Sequence, residues 1–276
     1  MVAALRSMVA ALLIAPGAVA AAQPPAIHRP LSLAPGACQA SVAVESNESV
    51  RRRFEPISLA PDLHCGVHAR LTLGVTHSAR SLSRVDSGGG ICLGGADRGC
   101  DALYGGTALD ALSPIRGGYD PDVAVAGRAR LVLASYSPLR PSLRLGGLIR
   151  VRRGAAAMVL DPHVSIGLAS RDRGNRDQLN LPIVGQFQLG ARAVVSIRSG
   201  VRGELATFGD ALAIPLGAGV EFSPSPVFDV GIDAGFPRLL GPQNTSKERH
   251  VAVHVTFRVD APWTAPREAS SSAHSR

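Results

Sequence analysis

The stretch HVAVHVTFRV, residues His250–Val259, alternates without a break. Val251, Val253, Val255, Phe257 and Val259 fall on one side, and His250, Ala252, His254, Thr256 and Arg258 on the other. Successive side chains of a β-strand point to opposite faces, so this strand has one apolar face and one polar, charged face. A half-buried strand of a soluble protein shares that period, but its polar side is a surface mix of Thr, Ser and Lys. Here the polar side is His and Arg, and the pattern recurs in about ten stretches of the chain.

Those stretches are read at Gly66–Thr76, Leu103–Leu112, Val123–Ser135, Leu143–Val151, Ala156–Leu168, Leu179–Leu189, Ala193–Gly203, Leu212–Phe222, Val227–Phe236 and the closing strand. In the first, Val67, Leu71, Leu73 and Val75 oppose His68, Arg70 and Thr72. In the second, Asp110 shares a face with Tyr104. Further along, the polar faces carry Arg128 and Arg130, then Arg144 and Arg150, then Asp161 and His163, then Arg198 and Arg202, then Glu221, then Asp229 and Asp233.

Polar groups on one face and aliphatic groups on the other suit a tube that meets lipid outside and holds its charges inside. The expected fold is therefore all-β, an up-and-down antiparallel transmembrane β-barrel of about ten strands over residues 63–260. A secreted β-sandwich is the competing soluble reading, and it requires the apolar faces to be buried against each other. An even number of crossings returns both ends to one side. GYDPD, RRG, GAR and SPSP are then the inner turns; the cysteine loop, SPLRP, SRDRGNRDQ, ELATFGDA and PRLLGPQNTSKER face outward. Long connections fall on one side and short ones on the other, as in outer-membrane barrels.

Residues 1–22 read as a signal peptide: Arg6, an apolar run from Met8 to Ile14, and small residues at Ala18 and Ala20. Residues 23–62, rich in Pro, Ala and Ser, read as an extended periplasmic N-terminal segment, and 261–276 as a disordered tail. Cys38, Cys65, Cys92 and Cys100 form an even set on an exported chain, which points to disulfides. Of the three possible pairings, Cys92 with Cys100 and Cys38 with Cys65 close the smaller loops. No CxxC spacing suggests zinc, and Pro35 stands where a lipobox preceding Cys38 needs Leu. The net charge of +8 is almost all arginine, Lys247 being the one lysine, and an exported chain gives it no nucleic-acid partner. Outer-membrane lipids and the barrel-assembly machinery are the expected partners; the sequence names no surface ligand and no cofactor.

The signal peptide, alternating strands, turn asymmetry and aromatic-bearing closing strand resemble bacterial outer-membrane β-barrel proteins. RDRGNRDQLNLP at 171–182, FGDALAIPLG at 208–217 and GFPRLLGP at 235–242 are similar to barrels of myxobacteria-like high-GC Gram-negatives, over about residues 65–260. The resemblance implies an outer-membrane location and transfers no catalytic residue. The chain departs from that class in having few aromatics, 4% of residues, and a tail after the closing strand.

GxSxG, HExxH, Walker and GxGxxG patterns are absent. Asp161 and His163, with Asp110, Asp229 and Asp233, are the residues from which a barrel hydrolase would be built, yet they lie mid-strand, away from a rim. The weightier reading is a packed ion network in the lumen. In it Arg70, Arg128, Arg130, Arg144, Arg150, Arg198, Arg202 and Arg258, with His163 and His254, meet Asp110, Asp161, Glu221, Asp229 and Asp233. The expected function is non-enzymatic, structural or surface-interacting, because about ten strands around a filled lumen are too narrow for a general porin. A hydrolase or a small-solute or lipid transport barrel is the alternative.

Overall fold

The computed structural model describes residues 26–49, 52–78, 90–93, 95, 100, 104, 106–116, 122–136, 138–242 and 244–259. The expected signal peptide and the tail fall outside the described residues. Fourteen strands form one antiparallel sheet: β1 (Cys38–Ser49), β2 (Arg52–His68), β3 (Leu71–Thr76), β4 (Ile91–Leu93), β5 (Thr107–Arg116), β6 (Val123–Tyr136), β7 (Leu139–Arg153), β8 (Ala156–Leu160), β9 (His163–Gly167), β10 (Gln178–Leu189), β11 (Ala193–Glu204), β12 (Ile214–Ser225), β13 (Phe228–Leu240) and β14 (His250–Val259). Successive crossings pair in chain order, β3 meeting β5, β4 adding to β2, and β8 and β9 each lying between β7 and β10, and β1 pairs with both β2 and β14, so the sheet closes on itself. No helix among the described residues is long and apolar enough to cross a membrane.

The barrel has twelve crossings rather than about ten. β8 and β9 form one crossing broken at Asp161-Pro162, both lying between β7 and β10. β4 pairs with β2 at Ile57–Leu59, beyond the β3 pairing at Leu63–His68, and continues that crossing. The two additional crossings are β1 and β2, in the stretch expected to be an extended periplasmic segment. Their period is present: Ile57, Leu59, Leu63 and Val67 alternate with Ser58, Ala60, Asp62 and His64. Pro56 and Pro61 mask it, because proline removes a ladder donor and argues against a strand assignment. The expected first strand, Gly66–Thr76, spans a hairpin that reverses at Ala69–Arg70.

The disulfides are Cys38–Cys65 and Cys92–Cys100, with Cα separations of 4.1 and 5.8 Å. The first joins directly opposed residues of β1 and β2.

Burial is inverted relative to a soluble protein. Ile197 is 60% exposed, Leu109 53%, Ile232 51% and Val253 47%, while Asp229 is 0%, Asp161 1%, His254 1% and Asp233 2% exposed. The aliphatic faces therefore point away from the sheet interior, which excludes the β-sandwich reading. The few aromatics gather at the two ends. Phe187, Phe222, Phe228 and Phe257 lie near the short turns, the last two with ring centroids 5.1 Å apart. Tyr104 and Tyr136 stack at 5.5 Å near the long loops, and Arg249 lies over Phe236.

Residues 26–37 do not hang outside the barrel. They run as a strap across the lumen at the short-turn end. Ile27, 1% exposed, packs on Ala157 and Val194, and Leu31 packs against Leu112, Ala126 and Leu148. These two contacts are the centres of the buried apolar clusters. Gly66 makes the crossing possible, since a Cβ there would run into the carbonyl of Ala34 and lie 2.6 Å from that of Leu33.

Candidate functional site

The lumen side chains form three groups. In the first, β5 supplies Asp110 and β6 supplies Arg128 and Arg130, held opposite by the register Asp110↔Arg130 and Leu112↔Arg128. Arg128 grips Asp110 with two bonds, Nε to Oδ1 at 3.0 Å and Nη2 to Oδ2 at 2.7 Å, while Arg130 Nη2 reaches Oδ2 at 2.8 Å. The other arm of Arg128 donates to Asp161 at 2.6 Å. His163 Nδ1 bonds the carbonyl of Asp161 at 2.8 Å, and His64 lies 3.6 Å from Asp110. Asp161 and His163 sit at the break between β8 and β9, where the chain leaves the ladder at Pro162. Arg144 joins this group around a small void shared with Arg128, Arg130, Asp161 and His163.

The second group lies on β11, β12, β13 and β14. Arg198 Nη2 is 3.0 Å from Asp233, and His254 is 3.5 Å from Asp233 and 3.5 Å from Glu221. Gly231 leaves room for His254; a Cβ there would collide with the imidazole.

The third group receives the strap. Arg29 Nη1 donates to Asp229 Oδ2 at 2.8 Å and Glu221 Oε1 at 3.3 Å, and Nη2 donates to Asp229 Oδ1 at 3.0 Å and Ser223 Oγ at 2.8 Å. Arg258 also bonds Asp229, and Ser223 Oγ donates to it at 2.6 Å. Arg150 donates to the carbonyl of Arg29, and Arg152 meets His28.

Above the strap remains a cavity of about 230 Å³, bounded by Arg29, Arg128, Arg150, Arg258, Asp110 and Glu221 together with the strap's Leu31 and Leu33. Charged groups share the lining with the apolar Leu31, Leu33, Leu112 and Val159. Among the described residues no cluster of His, Cys, Asp and Glu could hold a metal ion.

Most of the expected lumen residues are brought together in these groups. Arg202 is half-buried and donates to the Pro237 carbonyl at 3.4 Å. Arg70 is a correction: it is exposed in the turn between β2 and β3, because the chain reverses there and the period stops. Tyr104 does not share the buried face of Asp110; it is 40% exposed and bonded to His77. Sequence reasoning missed Arg29, His64 and Asp62. For the latter two the signal was the alternation upstream of Gly66. For Arg29 there was no local signal, since both odd positions (Ile27, Arg29, Leu31) and the even His28 meet the barrel.

At the opposite end, the connection 168–177 is tied down by Asp177, which accepts from Arg171 at 2.6 Å and from the Gly167 amide at 3.0 Å. The Arg171 bond, then the Gly167 bond, holds the Asp177 carboxyl below its ordinary range.

No protein-family model matches the chain, and no curated protein matches it. Solved structures do. The NanC porin aligns with a TM-score of 0.58 at 5% identity, over 80% of this chain and 100% of that one. The COG4313 outer membrane channel from Pseudomonas putida F1 gives 0.54 at 13%, over 89% and 100%. The KdgM porin, solved in complex with disordered oligogalacturonate, gives 0.51 at 10%, over 79% and 98%. The chain has the fold of bacterial outer-membrane β-barrels. Its place is the outer membrane, with the aliphatic belt against lipid and the aromatic ends at the two interfaces.

Proposed function

We propose that this outer-membrane barrel is a non-enzymatic passage for small polar solutes, closed at the short-turn end by its own strap. The observation that carries the reading is the cavity of about 230 Å³, lined by charged and apolar groups together, that ends on residues 26–37. Twelve strands make a wider tube than ten, so the wall itself leaves room, and side chains and strap together fill it. The porins and the channel that share the fold support the reading. Outer-membrane lipids at the belt and the barrel-assembly machinery are the partners it implies.

Hydrolysis is disfavoured by the Asp161–His163 pair itself. Both are buried, and the Asp161 carboxylate is engaged by Arg128 at 2.6 Å. A buried, salt-bridged carboxylate is a poor base.

The test is liposome swelling in small sugars and amino acids, comparing the wild type with a variant lacking residues 26–36. Slow swelling of the wild type and fast swelling of the variant are expected. Equal impermeability of two folded barrels contradicts the proposal.

A further inference from the structure

We propose that Arg29 is the latch of the strap: its guanidinium, seated among Asp229, Glu221 and Ser223, keeps the N-terminal half of the strap across the lumen, and breaking that contact releases this half while the other stays fixed. The inference rests on the reading of the lumen as a closed passage.

The two halves of the strap are held by different means. In the half nearer β1, Leu33 N donates to Thr72 Oγ1 at 2.8 Å, Gly36 N to the Gly66 carbonyl at 2.6 Å, and Gly66 N to the Ala37 carbonyl at 2.9 Å. The Cys38–Cys65 bond then ties its end to the wall covalently. In the other half, the backbone bond from Ile27 N to Gln188 Oε1 is 3.5 Å long, at the limit of a hydrogen bond. The remaining hold comes from the buried Ile27 side chain, Arg150 and Arg152 from the wall, and the fork of Arg29.

Arg29 makes the directional contact. A planar guanidinium facing a carboxylate with two parallel bonds is the strongest common charged pair, and Asp229 is wholly buried. The cradle is also built to survive the departure of the latch. Asp229 keeps Arg258 and Ser223 when Arg29 leaves, and Glu221 faces the cavity. Asp110 is different, because every cation on it belongs to the wall. A contact whose loss leaves Asp229 still paired with Arg258 fits a reversible latch better than a permanent staple.

The experiment uses the full mature chain in lipid, with two readouts. Hydrogen exchange at the amides of residues 27–31 reports on the strap, and planar-bilayer conductance on the lumen. Arg29→Ala should raise exchange at 27–31 by about tenfold or more, the scale of losing one hydrogen bond to a charged group, with residues 33–37 unchanged. Open time should rise in parallel. Sub-denaturing guanidinium, which competes for the same cradle, should produce both changes in the wild type and none in Arg29→Ala, whereas tetramethylammonium at equal ionic strength should do neither. Unchanged exchange in Arg29→Ala overturns the latch, as does an equal response to both cations. If Arg29→Ala gives no folded barrel, guanidinium on the wild type decides the matter by the same criterion. If exchange rises while conductance stays absent, the latch stands and the passage reading fails.

Discussion

Asp110 is where the lumen network can be tested most severely. Its side chain is fully buried and carries Arg128 through two bonds, Arg130 through a third, and His64 at 3.6 Å. Asp110→Asn keeps the volume and one acceptor oxygen but removes the charge, so two buried guanidinium groups lose their shared counter-ion. Breaking a buried pair by neutralising one partner costs about 3–5 kcal/mol. Arg128 retains Asp161 at 2.6 Å, which places the expected loss near the lower bound, about 3 kcal/mol. The measurement is urea unfolding in detergent micelles or vesicles, following far-UV circular dichroism and the folded band on unheated gels. Asp177→Asn, in the exposed 168–177 connection, serves as the comparison and should shift the midpoint far less. If Asp110→Asn unfolds at the same urea concentration as the wild type, the network does not stabilise the barrel and the reasoning fails.

Other outcomes follow from the same geometry. Leu145→Arg or Val253→Arg, on the lipid face, should cost about 2–4 kcal/mol near the midplane, measured by the same unfolding, whereas a polar substitution at the inward Thr256 should cost less. Gly66→Ala should push the strap off the wall, since the new Cβ would overlap the Ala34 carbonyl; faster proteolysis within residues 26–37 with an intact barrel is the expected result. The Asp177 carboxyl is held below its ordinary value, so the anchoring of 168–177 is complete above that ordinary value of about 4 and is lost as pH falls through the lowered one; the protection of the Gly167 amide, measured relative to intrinsic exchange at each pH, should fall on acidification and stay constant above neutrality. Non-reducing digests should give Cys38 linked to Cys65 and Cys92 linked to Cys100.

The barrel class was legible because a lipid-facing wall imposes one rule on every strand. From Val123 to Val259 the alternation locates each crossing and its inward residues to within a few positions. Legibility failed where other forces intrude on that rule. β1 and the outer part of β2 carry Glu45, Pro56 and Pro61, so the stretch looks like a linker, although Val42 and Val44 still face outward. The β2–β3 turn has no Gly or Pro, only Ala69 and Arg70, and the period passes through it undisturbed, which carried Arg70 into the lumen on paper. The strap was invisible for a different reason. Its conformation is set by contacts with β2, β3, β8, β11, β12 and β13, none of them local, and a Pro-rich sequence shows no period that could disclose a path through a tube. The ion pairs were legible by sign and face, but their partners depend on strand register, as with Arg128 bridging Asp110 and Asp161.

The central claim, a closed barrel seated in the outer membrane, is tested most directly by electrophoresis of the membrane-extracted protein with and without boiling. A folded closed barrel keeps its hydrogen-bonded ring in SDS, so the unheated sample should run ahead of the boiled one and appear only in the detergent-extracted outer-membrane fraction. Identical migration in both lanes, with the protein recovered from the soluble periplasm without detergent, would contradict the account.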